Sequence, residues 1–118
     1  MKLLIAGSRS IQIFDFSAYI SEEVDTIISG GAIGVDTLAE QYADTHRLSK
    51  YIIRPDYKLY GRGAPLRRNA QMVDMADAVL VVWDGKSRGT LFTLNYAKEQ
   101  KKPTTLVDLS TGMVTAFS

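Results

Sequence analysis

Four short stretches of this 118-residue chain combine glycine, hydroxyl and cationic side chains in a way that suits an anionic ligand. They are Gly7-Ser8-Arg9-Ser10, Ser29-Gly30-Gly31-Ala32-Ile33-Gly34, Tyr60-Gly61-Arg62-Gly63-Ala64-Pro65-Leu66-Arg67-Arg68-Asn69 and Asp84-Gly85-Lys86-Ser87-Arg88-Gly89-Thr90. Glycine lets a ligand approach the main chain, and N–H groups exposed at a helix start act as anion donors. Serine and threonine add hydroxyls, and arginine forks select phosphate or carboxylate by geometry. Each stretch alone is an ordinary strand-to-helix turn. If the strands before them are neighbours, Arg9, Arg67, Arg68, Lys86 and Arg88 gather at one place. In a chain of formal net charge +1, that local excess calls for an anion or for several salt bridges.

The expected chemistry is retention of a phosphorylated ligand of nucleotide type. The backbones of Gly30–Gly34 and Ser87–Thr90 would hold phosphate, with Arg67, Arg68 and Arg9 as the cationic clamp. Asp36 or Asn69 would meet ribose or base. The expected ligand-binding set is Gly7, Ser8, Arg9, Ser29, Gly30, Gly31, Gly34, Asp36, Arg67, Arg68, Asn69, Lys86, Ser87, Arg88, Gly89 and Thr90.

Plainer roles compete for several of these positions. Gly30, Gly31 and Gly34 could serve only close packing of helix on strand, and Asp36 could only complement a helix dipole. Arg67 and Arg68 follow Pro65 at a helix start, where the dipole disfavours cations, so a purely solvated role suits them poorly. Tyr57 and Tyr60 could stack a base or merely cover an edge. Trp83, ending an apolar strand, reads as core or pocket wall, and His46 as the cation at its helix C-terminus. With one histidine, no cysteine and no metal-like spacing among Asp74, Asp77 and Asp84, neither a metal nor a cofactor is expected.

The elements that must position these residues alternate. Apolar, β-branched runs at 2–7, 25–29, 50–55, 77–83 and 104–109 read as strands. Helix periodicity marks FSAYISEEV (16–24), a stripe of Val35, Leu38, Ala39, Tyr42, Ala43 and His46, a second stripe of Leu66, Ala70, Val73 and Ala76, and TLFTLNYAKEQ (90–100). The order βαβαβαβαβ predicts an α/β fold, a three-layer Rossmann-like domain over 1–109 with a mostly parallel sheet of at least five strands. Residues 110–118 read as a tail, an extra edge strand or part of a subunit contact. In such sheets ligands bind beyond the carboxyl ends of the strands, where the four stretches fall.

Composition excludes several classes. An apolar fraction of 46% and a charged fraction of 23% are those of an ordinary globule, and no apolar run approaches the ~18 residues that a bilayer span needs. The absence of cysteine and of a signal-like start leads to the expectation of a cytoplasmic protein without a membrane partner.

IISGGAIGVDTLAEQYA, with GRGAPLRRNAQMVDMADAVLVVWDGKSRGTLFTLNYAKEQKKP, resembles the glycine-rich loop, Arg-Asn element and central strand of the SLOG superfamily. That group includes the Smf/DNA-processing protein A family, the LOG phosphoribohydrolases and small YspA/YpsA-type proteins, whose first loop GSRS resembles. The resemblance extends to about residue 108. It implies nucleotide-type ligands, a homodimer and, through the DNA-processing branch, single-stranded DNA as a further candidate partner. LOG enzymes carry a glutamate in P-G-G-x-G-T-x-x-E, and Thr93 stands in its place here. Threonine cannot act as a carboxylate base. The expectation is therefore binding without turnover. The alternatives are N-glycosidic cleavage of a nucleoside monophosphate, with Asp36 or Asp84 replacing the glutamate and Arg68 filling the arginine role, and single-stranded DNA binding.

Overall fold

A computed structural model describes residues 1–118. Strands β1 (Lys2–Gly7), β2 (Thr26–Ser29), β3 (Ser49–Ile52), β4 (Ala78–Trp83), β5 (Thr104–Asp108) and β6 (Met113–Phe117) form one sheet in the order β3-β2-β1-β4-β5-β6. The first five are parallel and β6 is antiparallel to β5. Residues 110–118 therefore contribute an edge strand, the sixth of the sheet.

Helices α1 (Val35–Thr45), α2 (Tyr57–Tyr60), α3 (Ala64–Met75) and α4 (Arg88–Glu99) follow the strands, with a 3₁₀ turn at Gly61–Gly63 between α2 and α3. Strands β1 and β4 are apolar on both sides because both sides are covered. Leu3, Ile5, Leu80 and Val82 pack with Val35, Ala39 and Ala43 of α1 on one face. Leu4, Ala6, Val79 and Val81 pack with Met72 and Val73 of α3 and Leu94 and Ala97 of α4 on the other. The result is a three-layer, Rossmann-like α/β fold.

Three expectations need correction. No helix forms over 16–24; the connection from β1 to β2 is a series of turns. The Asp15 carboxylate accepts from the Ser17 amide at 2.9 Å and its hydroxyl at 2.6 Å, while Phe16 is buried and Phe14 meets it edge-on at 5.0 Å and stacks on Tyr19 at 5.6 Å. These local bonds and buried rings hold the backbone away from a continuing i→i−4 ladder. Leu66 is exposed and Met72 takes the core position of α3 instead. The stretch after β3 is not all loop: Asp56 accepts from the Leu59 amide at 3.1 Å and caps the short α2. No helix is long and apolar enough to cross a membrane.

The strand order reverses at β1 and β4, whose successors leave the sheet in opposite directions. Gly7 lies beside Val82 in the ladder, so the turns after these two strands start side by side. This switch point is where an open α/β sheet leaves a crevice.

Candidate functional site

A cleft of about 540 Å³ opens at that switch point. Its walls come from the ends of β1 and β4, the first turns of α1, α3 and α4, and the turn before α1. The volume suits a small organic ligand. Of the chain's cations, Arg9, Arg68 and Lys86 line it, and none of the three lies within 4 Å of a carboxylate; the ion pairs present are Met1–Asp25 and Lys50–Asp44.

Ser8 and Asp84 tie the two turns together. The Ser8 amide donates to the Val82 carbonyl at 3.1 Å, and its buried hydroxyl accepts from the Asp84 amide at 3.0 Å. One Asp84 carboxylate oxygen accepts from the Lys86 and Ser87 amides, both at 2.8 Å, and the other from the Ser10 hydroxyl at 2.8 Å. The Ser87 amide first, then that of Lys86 and the Ser10 hydroxyl, pull the carboxyl down to about 2. An aspartate that folds its own loop in this way is an Asx turn. From the other side, the Trp83 indole N–H donates to the Ser87 carbonyl at 2.9 Å.

This bracing delivers α4 to the cleft with its first turn uncapped. Ser87 makes no side-chain cap, and the amides of Arg88, Gly89 and Thr90 have no partner in the chain. Ser87, Gly89 and Thr90 line the cleft, and the Ser87 and Thr90 hydroxyls lie 3.1 Å apart. A side chain at Gly89 would meet nothing nearer than Asn69 Nδ2 at 3.9 Å, so the approach to these donors is open. Free amides at a helix start carry a partial positive charge and bind anions.

The turn after β2 is built differently. A Cβ at Gly30 would stand 2.8 Å from Arg68 Nη1 and 2.9 Å from Asp36 Oδ2, so the missing side chain is the space in which these two groups meet the backbone. Arg68 donates to the Gly30 carbonyl at 2.6 Å, the Ile53 carbonyl at 3.2 Å and, through Nε, to Asn69 Oδ1 at 2.8 Å. Asn69 in turn donates to the Gly89 carbonyl at 3.4 Å, linking α3 to α4. Asp36, 8% exposed, accepts from the Ala32 amide at 3.1 Å. Burial pushes its carboxyl up to about 6 despite that bond and the nearby Arg68 charge. Burial also lowers the Arg68 guanidinium, with Asp36 opposing that shift. Gly34, with φ +81°, lets the chain pass against Ser8 and Arg9, and the Val35 amide reaches the Ser8 carbonyl at 3.3 Å.

The cleft thus gathers Gly7, Arg9, Asp36, Arg68, Asn69, Lys86, Ser87, Gly89 and Thr90 from the expected set. Ser8, Ser29, Gly30, Gly31 and Gly34 stand behind the wall. The Gly31 amide donates to Ser29 Oγ at 3.3 Å and the Gly31 carbonyl accepts from Arg54 at 3.3 Å. Arg67 turns away to lie over the Tyr60 ring, 4.9 Å from its centroid, and Arg88 is exposed outside the lining. Sequence reasoning left Ser10 out of the set and gave Asp84 only a catalytic alternative. The Asp84–Ser87 spacing, an aspartate three residues before a helix N-cap, is the available signal. Thr93 lines the cleft, its hydroxyl donating to the Gly89 carbonyl at 3.1 Å.

No cluster of three or more histidine or carboxylate groups could hold a metal ion. The arrangement can hold an anion at the α4 terminus, neutralise it with three cations, and offer two carboxylates of opposite character to hydroxyl groups of the same ligand. No protein-family profile matches the chain, and comparison with curated proteins and with solved structures likewise finds no match.

Proposed function

We propose that this chain binds a nucleotide or a nucleotide-derived phosphorylated ligand, as a small SLOG-type module that retains rather than transforms it. The observation that carries this proposal is the uncapped first turn of α4 opening on a cleft with Arg9, Arg68 and Lys86. Phosphate at Gly89 and Thr90 would satisfy amides that the chain leaves free, and Ser87 and Thr90 hydroxyls would complete its shell. Asp36 and Asp84, both on the lining, are the acceptors for ribose hydroxyls. Arg9 and Lys86 are exposed, so their removal leaves the core intact. Adenosine 5′-monophosphate should raise the melting temperature of the parent protein, and the double variant Arg9→Ala/Lys86→Ala should lose most of that shift. An undiminished shift in the variant would remove the clamp.

Asp36 favours a second reading. A buried carboxyl with a value near 6, beside Arg68, is suited to donate a proton to a leaving base in N-glycosidic cleavage. Release of free base from a nucleoside monophosphate by the parent, abolished in Asp36→Asn, would establish turnover; no release at high protein concentration would exclude it for that substrate. Single-stranded DNA is favoured by the unpaired cations Arg54, Lys58, Arg62, Arg67 and Arg88 at the same end of the sheet. Its mark would be affinity that grows with oligonucleotide length and falls steeply with salt.

A further inference from the structure

Beside the cleft, the α2–α3 junction carries an apolar surface that the phosphate site does not use. Tyr57 is 60% exposed, Leu59 67%, Tyr60 43% and Leu66 43%. Four large apolar side chains exposed within ten residues mark a contact surface, where single ones would not. The surface is continuous with the cleft. Leu66 belongs to both, since it is exposed on this surface and also lines the cleft. Within it the Arg67 guanidinium carbon lies 4.9 Å from the centroid of the Tyr60 ring, a cation–π pair that sets a guanidinium plane beside an aromatic one. A plane of this kind accepts the face of another aromatic ring, because an aromatic ring stacks on aromatic and guanidinium planes without needing a particular edge.

We propose that Tyr57, Tyr60 with Arg67 stacked on it, and Leu66 form the subsite that takes the planar base of the ligand whose phosphate rests at α4. The subsite rests on the phosphate-binding function proposed above. The base is recognised by its face, so purines, with the larger area, bind more tightly than pyrimidines. The α2–α3 junction then decides that the ligand is a nucleotide, whereas the α4 terminus decides only that it is a phosphate.

Calorimetric titration with inorganic phosphate, ribose 5-phosphate and adenosine 5′-monophosphate tests this. The nucleotide should bind roughly 5- to 100-fold more tightly than ribose 5-phosphate, the range expected of one stacked base. Tyr57→Ala and Tyr60→Ala, neither at a residue that lines the cleft, should each remove much of that gain while leaving ribose 5-phosphate affinity unchanged, and Tyr60→Trp should restore or raise it. Both positions are exposed, and unchanged circular dichroism and melting temperature would exclude misfolding. Equal affinity for the nucleotide and ribose 5-phosphate, or equal loss for both ligands in the variants, would overturn the base subsite and leave the phosphate site standing. If none of the three probes binds, the phosphate site falls and the subsite with it.

Discussion

The turn after β2 and the turn after β4 each join a parallel strand to the first turn of a helix, and both are rich in glycine. In the first, Gly30 makes room for Arg68 and Asp36, Gly34 makes room for the backbone at Ser8 and Arg9, and the Gly31 and Ala32 amides are engaged within the protein. In the second, a Cβ at Gly89 would meet only Asn69 Nδ2, at 3.9 Å, and the Arg88, Gly89 and Thr90 amides have no partner. Their carboxylates differ in the same sense. Asp36 is buried with one amide and pushed up to about 6; Asp84 is folded into its own loop by two amides and a hydroxyl and held at about 2. Glycine therefore does opposite work in the two turns: in one it brings protein groups together, in the other it leaves a place for a group from outside.

The largest expected effect breaks the packed turn. Gly34→Ala places a Cβ 2.5 Å from the Ser8 carbonyl oxygen and 2.6 Å from Arg9 Cα, at a φ of +81° that an L side chain rarely adopts. Both obstacles are backbone, so neither can swing aside. Steric overlap and the left-handed conformation together should cost about 3 kcal/mol or more, lowering the melting temperature by on the order of 10 °C. Thermal denaturation checks this; a loss under about 1 kcal/mol would mean that α1 shifts freely against β1, contrary to a packed turn.

Asp36→Asn sharpens the difference between the carboxylates. The folded protein holds this proton up to about pH 6, whereas the unfolded chain releases it near the ordinary 3.8. Stability from the protonated group is thus complete below about pH 4, falls as pH rises towards 6, and stays lost above. The shift corresponds to at most roughly 3 kcal/mol. Asparagine keeps the shape and stays neutral, so urea denaturation at pH 7.5 should show a gain of about 1–2 kcal/mol and a flatter profile between pH 4 and 6. A variant less stable than the parent at pH 7.5 would assign the ionised carboxylate a favourable role with Arg68.

Asp84 should behave with the opposite sign. Its lowered value means that its contribution is present above about pH 4 and is lost as pH falls through 2. Asp84→Ala frees the Lys86 and Ser87 amides and the Ser10 hydroxyl, all partly solvated, so the loss at neutral pH should be about 1 kcal/mol. Hydrogen exchange should speed up at Lys86 and Ser87 in particular. Unchanged exchange there would detach the carboxylate from the loop's order.

Much of the fold that frames the two turns is legible in the sequence. Val79, Leu80, Val81 and Val82 announce a strand covered on both faces, and the stripe Val35, Ala39, Ala43 announces α1, because burial imposes its period on sequence. The ends of these elements brought Arg9, Arg68 and Lys86 to one cleft because a parallel sheet leaves its turns on one side. The helix expected over 16–24 is missing because Asp15 turns the chain at Ser17, Phe14 meets Phe16 and Tyr19 locally, and Phe16 is drawn to Tyr42 of α1, none of which helical periodicity carries. Nor does sequence tell a packing glycine from an open one. Gly30 and Gly89 both precede helix starts or lie in them, and only the positions of Arg68 and Asn69, from a third segment, separate their roles. Arg67 and Arg68 likewise are adjacent and identical in type, yet 100° of helix rotation sends one over Tyr60 and the other into the wall.

The smallest change in stability belongs to Gly89→Ala, and it is the substitution that most directly tests the two kinds of turn. The nearest heavy atom to the new methyl is Asn69 Nδ2 at 3.9 Å, an ordinary contact, and the position lies in the first turn of α4. Alanine favours a helix over glycine by up to about 1 kcal/mol in the interior and less in the first turn, so stability should hold or rise by a few tenths of a kcal/mol. Yet the methyl enters the cleft beside the free amides of Gly89 and Thr90, where a phosphate oxygen would have to stand. Adenosine 5′-monophosphate should then bind at least 10-fold more weakly to a protein that melts at or above the parent temperature. Destabilisation comparable to Gly34→Ala would make both turns packing devices. Full nucleotide affinity in a stable Gly89→Ala variant would move the phosphate away from α4, because a methyl group cannot share the space over these amides with a bound oxyanion.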